Sequence, residues 1–510
     1  MNSQPRSAVG SQLAWLIPIA AILGVAAYLV WASAAGVWGF ALDDAWIHQT
    51  YARNLVATGQ FAFVPGQPSS GSTSPLWTLL IALGYLVRVD YKWWTYALGA
   101  VCLAATALGV WQLTLRLFPD RPRAALVAGI FCALEWHLVW AAVSGMETVL
   151  FTALSVWLLV VTLNQKSEIE NKKSIGLLCG LLVLTRPEGL LLVGLVLTAH
   201  IAQTGWTRRA TWTSLAWTLA AMTILIAPWL AFNWRASGTP FPNTFYAKQR
   251  EYASVLAMVP FLRRLAQVFF TPFIGAQVLL IPGLVAAIWS LMRRTLVRRI
   301  GKLETWPQLA GLAWVVAHLG LYALRLPVTY QHGRYEIPVI PVLIAFGLGG
   351  TAMLLRLNDA RLWLRVLSRA VTLAITITQL SFVAIGARAY VADVGIIEGE
   401  MVRVARWLDT NTAPSDLIAA HDIGAIGYFS RRPLLDLAGL ISPEVIPFIR
   451  DQGRLEALIR QRGAAYLVTF PAWYPQLVGQ ARFVPLFAGN APASPEHLTV
   501  YRIPVAHVPP

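Results

Sequence analysis

Charge is what this chain has least of. Asp, Glu, Lys and Arg together make up 13% of its 510 residues, while 57% are hydrophobic. That balance excludes an ordinary soluble domain and reads as a polytopic membrane protein. Cysteine is nearly absent too: Cys102, Cys132 and Cys179 all lie inside apolar runs without paired spacing, which excludes a disulfide framework and a thiolate metal site. No HExxH, CxxC or Walker A pattern occurs, so metalloprotease and ATPase readings lack their residues. There is also no internal repeat, heptad or low-complexity tract. The net charge of +16 comes from short loops between apolar runs, where membrane topology places Lys and Arg. The partners it implies are membrane lipids and no nucleic acid.

Apolar runs fall at 13–34, 93–115, 124–143, 147–163, 174–186, 188–204, 212–232, 272–292, 307–325, 337–355 and 367–388. Since a span needs roughly 20 apolar residues, these predict about 11 transmembrane helices. The first is too long for a signal-peptide core and reads as a retained span. A shorter run at 75–88 begins at Pro75 and ends at Arg88, and is expected to lie along the outer surface. With the N-terminus inside, the loops holding Arg116/Arg121/Arg123, Lys166/Lys172/Lys173, Arg208/Arg209, Arg293/Arg294/Arg298/Arg299/Lys302 and Arg356/Arg361/Arg365/Arg369 then all fall in the cytoplasm.

The same topology gathers the polar stretches on the other side: the first outer loop (35–91), 144–148, 186–189, 234–264, 326–336 and everything after Arg388. Beyond 390 hydropathy falls. A helical pattern at Glu398–Thr410 is followed by short apolar runs at 417–420, 434–437, 466–469 and 499–502, with another helical pattern at Glu444–Gln461. Strands alternating with helices predict a small extracytoplasmic α/β domain over 391–510, beside a transmembrane domain over 1–390.

Two adjacent carboxylates stand just beyond the first span, in Ala41-Leu-Asp-Asp-Ala-Trp-Ile-His48. Either could cap the helix that follows. Alternatively they form a working pair, in which like charges raise one another's pKa. Such a pair leaves room for a divalent metal without specifying one. Arg186, Arg235, Lys248, Arg250, Arg325, His332 and Arg334 are the cations available to an anionic ligand, and each also fits an interfacial anchor. Arg186 and Glu188 interrupt an apolar run and could simply pair. Glu147 is either a helix start or a further site carboxylate. His137, His200 and His318 read as core histidines.

The order Asp43-Asp44-Ala-Trp-Ile, Tyr51-Ala-Arg-Asn54, Gly71-Ser-Thr-Ser-Pro-Leu-Trp77, Ser144-Gly-Met-Glu-Thr148, Arg186-Pro-Glu-Gly189, Pro242-Asn-Thr-Phe-Tyr-Ala-Lys248, Gly333-Arg-Tyr335 and Asp422-Ile-Gly-Ala-Ile-Gly-Tyr428 resembles bacterial integral-membrane glycosyltransferases of the GT-C superfamily. Within it the chain is most similar to the mycobacterial terminal arabinofuranosyltransferase group and, more distantly, to protein O-mannosyltransferases. The resemblance implies a polyprenyl-phosphate sugar donor, inversion at the anomeric carbon, and a glycan, lipid or protein acceptor, with a cell-envelope glycan expected. It implies Asp43 as base, with Asp44 orienting the acceptor or, in some members, a metal. The C-terminal domain would cover the site and help hold the acceptor. Glycosyl transfer also needs cations or donors for the departing phosphate, and Arg186, Glu188, Lys248, His332, Arg334, Tyr246 and Glu147 are the candidate donor and substrate contacts. The active site is expected on the extracytoplasmic face of the cell membrane. The competing reading is a transporter or flippase of a lipid-linked sugar, which predicts symmetric halves and polar residues through the midplane.

Overall fold

The structure is a computed structural model, and it describes residues 12–163, 169–297, 306–355, 359–479 and 483–504. Of the basic loop residues named above, Lys166, Arg298, Arg299, Lys302 and Arg356 lie outside this set. Every one of the eleven apolar runs is helical. Among the described residues seven helices are long and apolar enough to cross a membrane, or nine if two bent pairs each form one span. Thr148–Thr162 and Gly189–Thr204 are shorter, because polar motifs end them early: Ser144-Gly-Met-Glu precedes the first, and Arg186-Pro-Glu-Gly separates the second from Ile169–Thr185. The chain is a polytopic α-helical membrane protein with a small C-terminal α/β domain.

Close backbone approach holds the bundle together, as packing between membrane helices requires. A Cβ on Gly99 would lie 1.8 Å from the Ala142 carbonyl oxygen, and one on Gly350 would lie 1.9 Å from that of Gly283. One bent pair, Pro122–Ala133 and Trp136–Val143, turns by 46° at Glu135, whose Oε2 accepts the Leu138 N–H at 2.9 Å. The other turns by 115° between Asn243–Met258 and Phe261–Phe273, where Pro260 precedes the second helix.

Gly, Pro and Ser shape the loop that follows the first span. Helix Asp44–Thr58 ends at Gly59, whose φ of 72° supplies the left-handed C-cap. A two-stranded hairpin follows, β1 (Ala62–Val64) with β2 (Gln67–Pro68), tied back by the Asn54 amide, which donates to the carbonyls of Ala62 and Phe63 at 3.0 and 2.8 Å. The 75–88 run forms helix Pro75–Leu86, about 18 Å long at 1.5 Å per residue and so well short of a bilayer core of roughly 30 Å.

No linker separates the two parts of the chain. A helix of 50 residues, Leu362–Asn411, passes straight through position 390, with a π-helical turn at Glu398–Val402. Glu400 in that turn is fully buried and accepts from the Ala491 and Leu498 N–H groups at 2.7 and 2.8 Å. The domain beyond it is a mixed sheet in the order β4 (Leu434–Asp436), β3 (Ile418–Ala420), β5 (Tyr466–Thr469), β7 (Thr499–Arg502), β6 (Val484–Ala488). β4, β3 and β5 run parallel, whereas β7 and β6 are antiparallel. The four expected strands are present and β6 is an addition: a mostly exposed edge strand containing Pro485, which carries no continuous apolar signal. The Glu444–Gln461 pattern divides into a 3₁₀ turn at Pro443–Phe448 and a helix at Gln452–Gln461.

Candidate active site

Asp43 stands at the N-cap of Asp44–Thr58 but makes no side-chain capping bond. Both its oxygens are used elsewhere: Oδ2 accepts the Gly424 N–H and Oδ1 the Ala425 N–H, each at 2.8 Å. Only glycine fits there, since a Cβ on residue 424 would lie 2.0 Å from the Asp43 carbonyl oxygen. Asp44 points to a cationic wall. Its Oδ2 accepts from Arg334 Nη2 at 2.7 Å and lies 3.7 Å from Lys248 Nζ. The Tyr335 hydroxyl accepts from both cations, at 2.8 and 2.9 Å.

The two carboxylates therefore titrate apart. Burial, followed by the neighbouring Asp422 carboxylate, pushes Asp43 up to about 8 against the pull of its two backbone N–H donors. Burial also opposes charge on Asp44, but Lys248 and Arg334 outweigh it and hold that carboxyl well below the usual range. Asp422 is raised to about 6, again chiefly by burial.

Two cavities meet at the pair. Asp44, Ile47, Lys248, Arg334 and Leu440 line both. The inner one, about 500 Å³, is walled by His48, Glu147, Arg186, Glu188 and Tyr322, with Arg325, Leu321 and Phe245 also lining it. Arg186 is buried and organises this wall. Its Nε donates to Glu188 at 2.7 Å and its Nη2 to the Tyr322 hydroxyl at 3.1 Å, while its Nη1 lies 3.6 Å from Glu147. The outer cavity, about 720 Å³, lies beneath the C-terminal domain and takes in Asp43, Glu251, Asp393, His421, Asp422 and the rings of Tyr252, Tyr330, Trp473 and Tyr474.

Of the residues expected here, Asp43, Asp44, Glu147, Arg186, Glu188, Lys248 and Arg334 are brought together. The Arg186–Glu188 pair exists, and it also faces the inner cavity. Glu147 directly precedes helix Thr148–Thr162 without a side-chain cap and turns instead to Arg186 and to His48, whose Nε2 is 3.4 Å away. Neither His332 nor Tyr246 lines either cavity itself, though His332 bonds to Asp393, which lines the outer one. Left-handed backbone at Gln331 and His332, φ 54° and 56°, turns the His332 imidazole away to Asp393 Oδ2 at 2.8 Å, between the rings of Trp136 and Trp140. Such strained residues cost free energy and cluster at functional sites; here the turn immediately precedes Arg334. Tyr246 packs edge-on against Phe245.

Asp422, His421, Glu251, Tyr322 and Tyr335 were missed. Asp422 and Tyr335 each lie in a polar motif that the sequence displays, and that was the available signal. Among the described residues no group of three or more His, Cys, Asp or Glu is arranged to hold a divalent ion, and Asp44 is already neutralised by two cations.

Residues 381–501 match the family described as a domain of unknown function (DUF8728). No curated protein matches the sequence. Among solved structures, ArnT from Cupriavidus metallidurans bound to undecaprenyl phosphate aligns with a TM-score of 0.60 at 15% identity, over 96% of this chain and 98% of that one. The Archaeoglobus fulgidus oligosaccharyltransferase AglB, in complex with an inhibitory peptide and a dolichol-phosphate, aligns with a TM-score of 0.61 at 13% identity, over 97% and 75%. Arabinofuranosyltransferase AftD from Mycobacteria gives 0.47 at 14% identity, over 95% of this chain and 40% of that one. The fold is that of the GT-C glycosyltransferases.

Proposed function

We propose that this chain is an inverting glycosyltransferase that moves a sugar from a polyprenyl-phosphate donor to a hydroxyl of an extracytoplasmic acceptor, a cell-envelope glycan. The observation that carries this reading is the junction of the two cavities, where a carboxylate with raised basicity stands beside one neutralised by Arg334 and Lys248. Arg334 is buried there with Nε and Nη1 lacking any partner. Buried donors without partners are costly, and two guanidinium N–H groups suit phosphate oxygens. The lipid phosphates bound to ArnT and AglB, two proteins of the same fold, support such a leaving group here.

In this reading the donor phosphate takes the inner cavity and the acceptor the outer one, where Trp473, Tyr474, Tyr252 and Tyr330 offer aromatic faces for sugar rings. In its ionised form, which gains population as pH approaches about 8, Asp43 takes the acceptor's hydroxyl proton as that oxygen bonds to the anomeric carbon. The bond from that carbon to the phosphate oxygen breaks on the opposite face, and its electron pair leaves with polyprenyl phosphate. Arg334 and Lys248 stabilise the charge that develops. One displacement inverts the centre.

Full-length protein in lipid nanodiscs, given a panel of polyprenyl-phosphate sugars and envelope glycans, should yield a glycosylated product of inverted anomeric configuration, read by mass spectrometry and NMR. Retained configuration would overturn the single displacement. Lipid-linked sugar crossing proteoliposomes at equal rates in wild type and Asp43→Asn, without product, would favour the transporter. For the location of the site, cysteines at the exposed positions Gln67 and Ser415 should react with an impermeant reagent from outside intact cells. One at exposed Asp120 should react only after permeabilisation. The native cysteines are buried and add little background.

A further inference from the structure

The Asp422-Ile-Gly-Ala425 turn leaves the C-terminal end of β3, the middle of three parallel strands. Such edges are where α/β sheets carry ligands. This one is fastened to the loop that follows the first span. Trp46 packs on Tyr428 and Phe429 with ring centroids 5.0 and 4.7 Å apart, and Arg53 Nη1 donates to the Tyr428 carbonyl at 2.8 Å. The Tyr85 and Tyr428 hydroxyls are 2.9 Å apart. Ile423 and Ala425 are buried, so the turn is set between the two parts of the chain.

We propose that Asp422 is a positioning residue of the active site: its turn aims the Asp43 carboxylate through the Gly424 and Ala425 N–H groups, and its own charge raises the basicity of Asp43. The inference rests on the reading of Asp43 as the base, and it gives the C-terminal domain a part in setting that base's strength. Three observations carry it. The two N–H bonds fix both Asp43 oxygens; the glycine leaves no room for slippage; and Asp43 and Asp422 line one cavity. Two carboxylates lining one half-buried cavity repel when both ionise, and protons leave such a pair in coupled steps. The groups facing them are Asp44 beside Asp43, itself held by Lys248 and Arg334, and His421, Glu251, Asp436 and Asp44 around Asp422. The directions agree, with Asp43 raised to about 8 and Asp422 to about 6.

Infrared difference titration of the full chain in nanodiscs tests this without any substrate. Wild type should show a protonated-carboxyl signal lost near pH 8, of which the Asp43 component is absent from Asp43→Asn while that of the buried, unpartnered Glu336 remains. In Asp422→Asn, which keeps size and removes charge, the Asp43 component should titrate about one pH unit or more lower. In Asp422→Glu it should stay near the wild-type position. In Asp43→Asn the Asp422 carboxyl should hold near its wild-type position, about 6, because it ionises while Asp43 is still neutral. That arm stands even if Asp422→Asn does not fold. An Asp43 band unmoved in folded Asp422→Asn, or an Asp422 titration that falls to the ordinary range in Asp43→Asn, the sign that Asp43 was the first to ionise, would overturn the proposal. Failure of every donor in the transfer assay, with these titrations intact, would instead remove the function and leave the dyad.

Discussion

Asp43 and Asp44 are neighbours in the chain and opposites in the fold. Successive residues at a helix start project about 100° apart, so one carboxylate reaches the wall built by Lys248 and Arg334 and the other reaches the C-terminal domain. The first is stabilised as an anion; the second is pressed to keep its proton. What differs is not the residue but what distant segments bring to it, 290 positions away for Arg334 and 381 for Gly424. An acid-base site needs two groups whose surroundings push their pKa values apart. This chain sets a doublet with that contrast across the boundary between a membrane bundle and the C-terminal domain.

Asp43→Asn should break the comparison most severely. An amide cannot take a proton from the acceptor, so transfer should fall by about 10² to 10⁴. Asn also offers one acceptor where two N–H groups wait, and leaving one unpaired costs about 1–3 kcal/mol. The variant should thus be somewhat less stable as well as inactive, measured by thermal denaturation and by turnover below the transition. Wild-type turnover would make Asp43 an anchor for the C-terminal domain and move attention to Glu147.

Arg334→Ala comes next. It removes the 2.7 Å partner of Asp44 and the two unpaired N–H groups, and should cost about 10² to 10³ in kcat, the scale of a lost transition-state donor. Lys248→Ala should cost less, because Lys248 is a point charge at 3.7 Å. Single-turnover rates with donor in excess would separate the two. Equal and negligible losses would mean that the cationic wall only anchors Asp44.

How much of this was legible in sequence follows the same division. The bundle was readable because a membrane helix must be long, apolar and flanked by basic loops, and all eleven runs became helices. The strands of the C-terminal domain were readable where both faces are buried, as in Ile418–Ala420 and Tyr466–Thr469. Exposed Val484–Ala488 was not. At the site, Asp43 and Asp44 stood out because carboxylates are scarce, and Arg186, Lys248 and Arg334 because they sat in polar motifs. His332 shared that setting with Arg334, yet a left-handed turn sends it elsewhere. Local composition carries no sign of which way a turn faces. Asp422 lay in a visible motif too, but its role depends on a contact between the two ends of the chain.

The smallest effect is on stability against pH, and it tests the contrast directly. Asp43 is raised from its ordinary 3.8 to about 8, so between those values the native chain holds a proton that the unfolded chain has released. Stability then falls as pH rises: the contribution is complete below about 3.8, and it is gone once pH has passed about 8. Asp422 acts in the same direction but only up to about 6. Asp44 is depressed, so its contribution is present above the unfolded value and is lost only as pH falls through the lower folded one, outside this window. From pH 6 to 8 the slope assigned to these three groups therefore belongs to Asp43. The melting temperature of the wild type should decline across that interval, and the decline should be shallower in Asp43→Asn, whatever the variant's absolute stability. Equal slopes in the two proteins would mean that Asp43 is already ionised at pH 6, held by its two backbone N–H bonds, and the two neighbouring carboxylates would then be anions alike, without the contrast their surroundings imply.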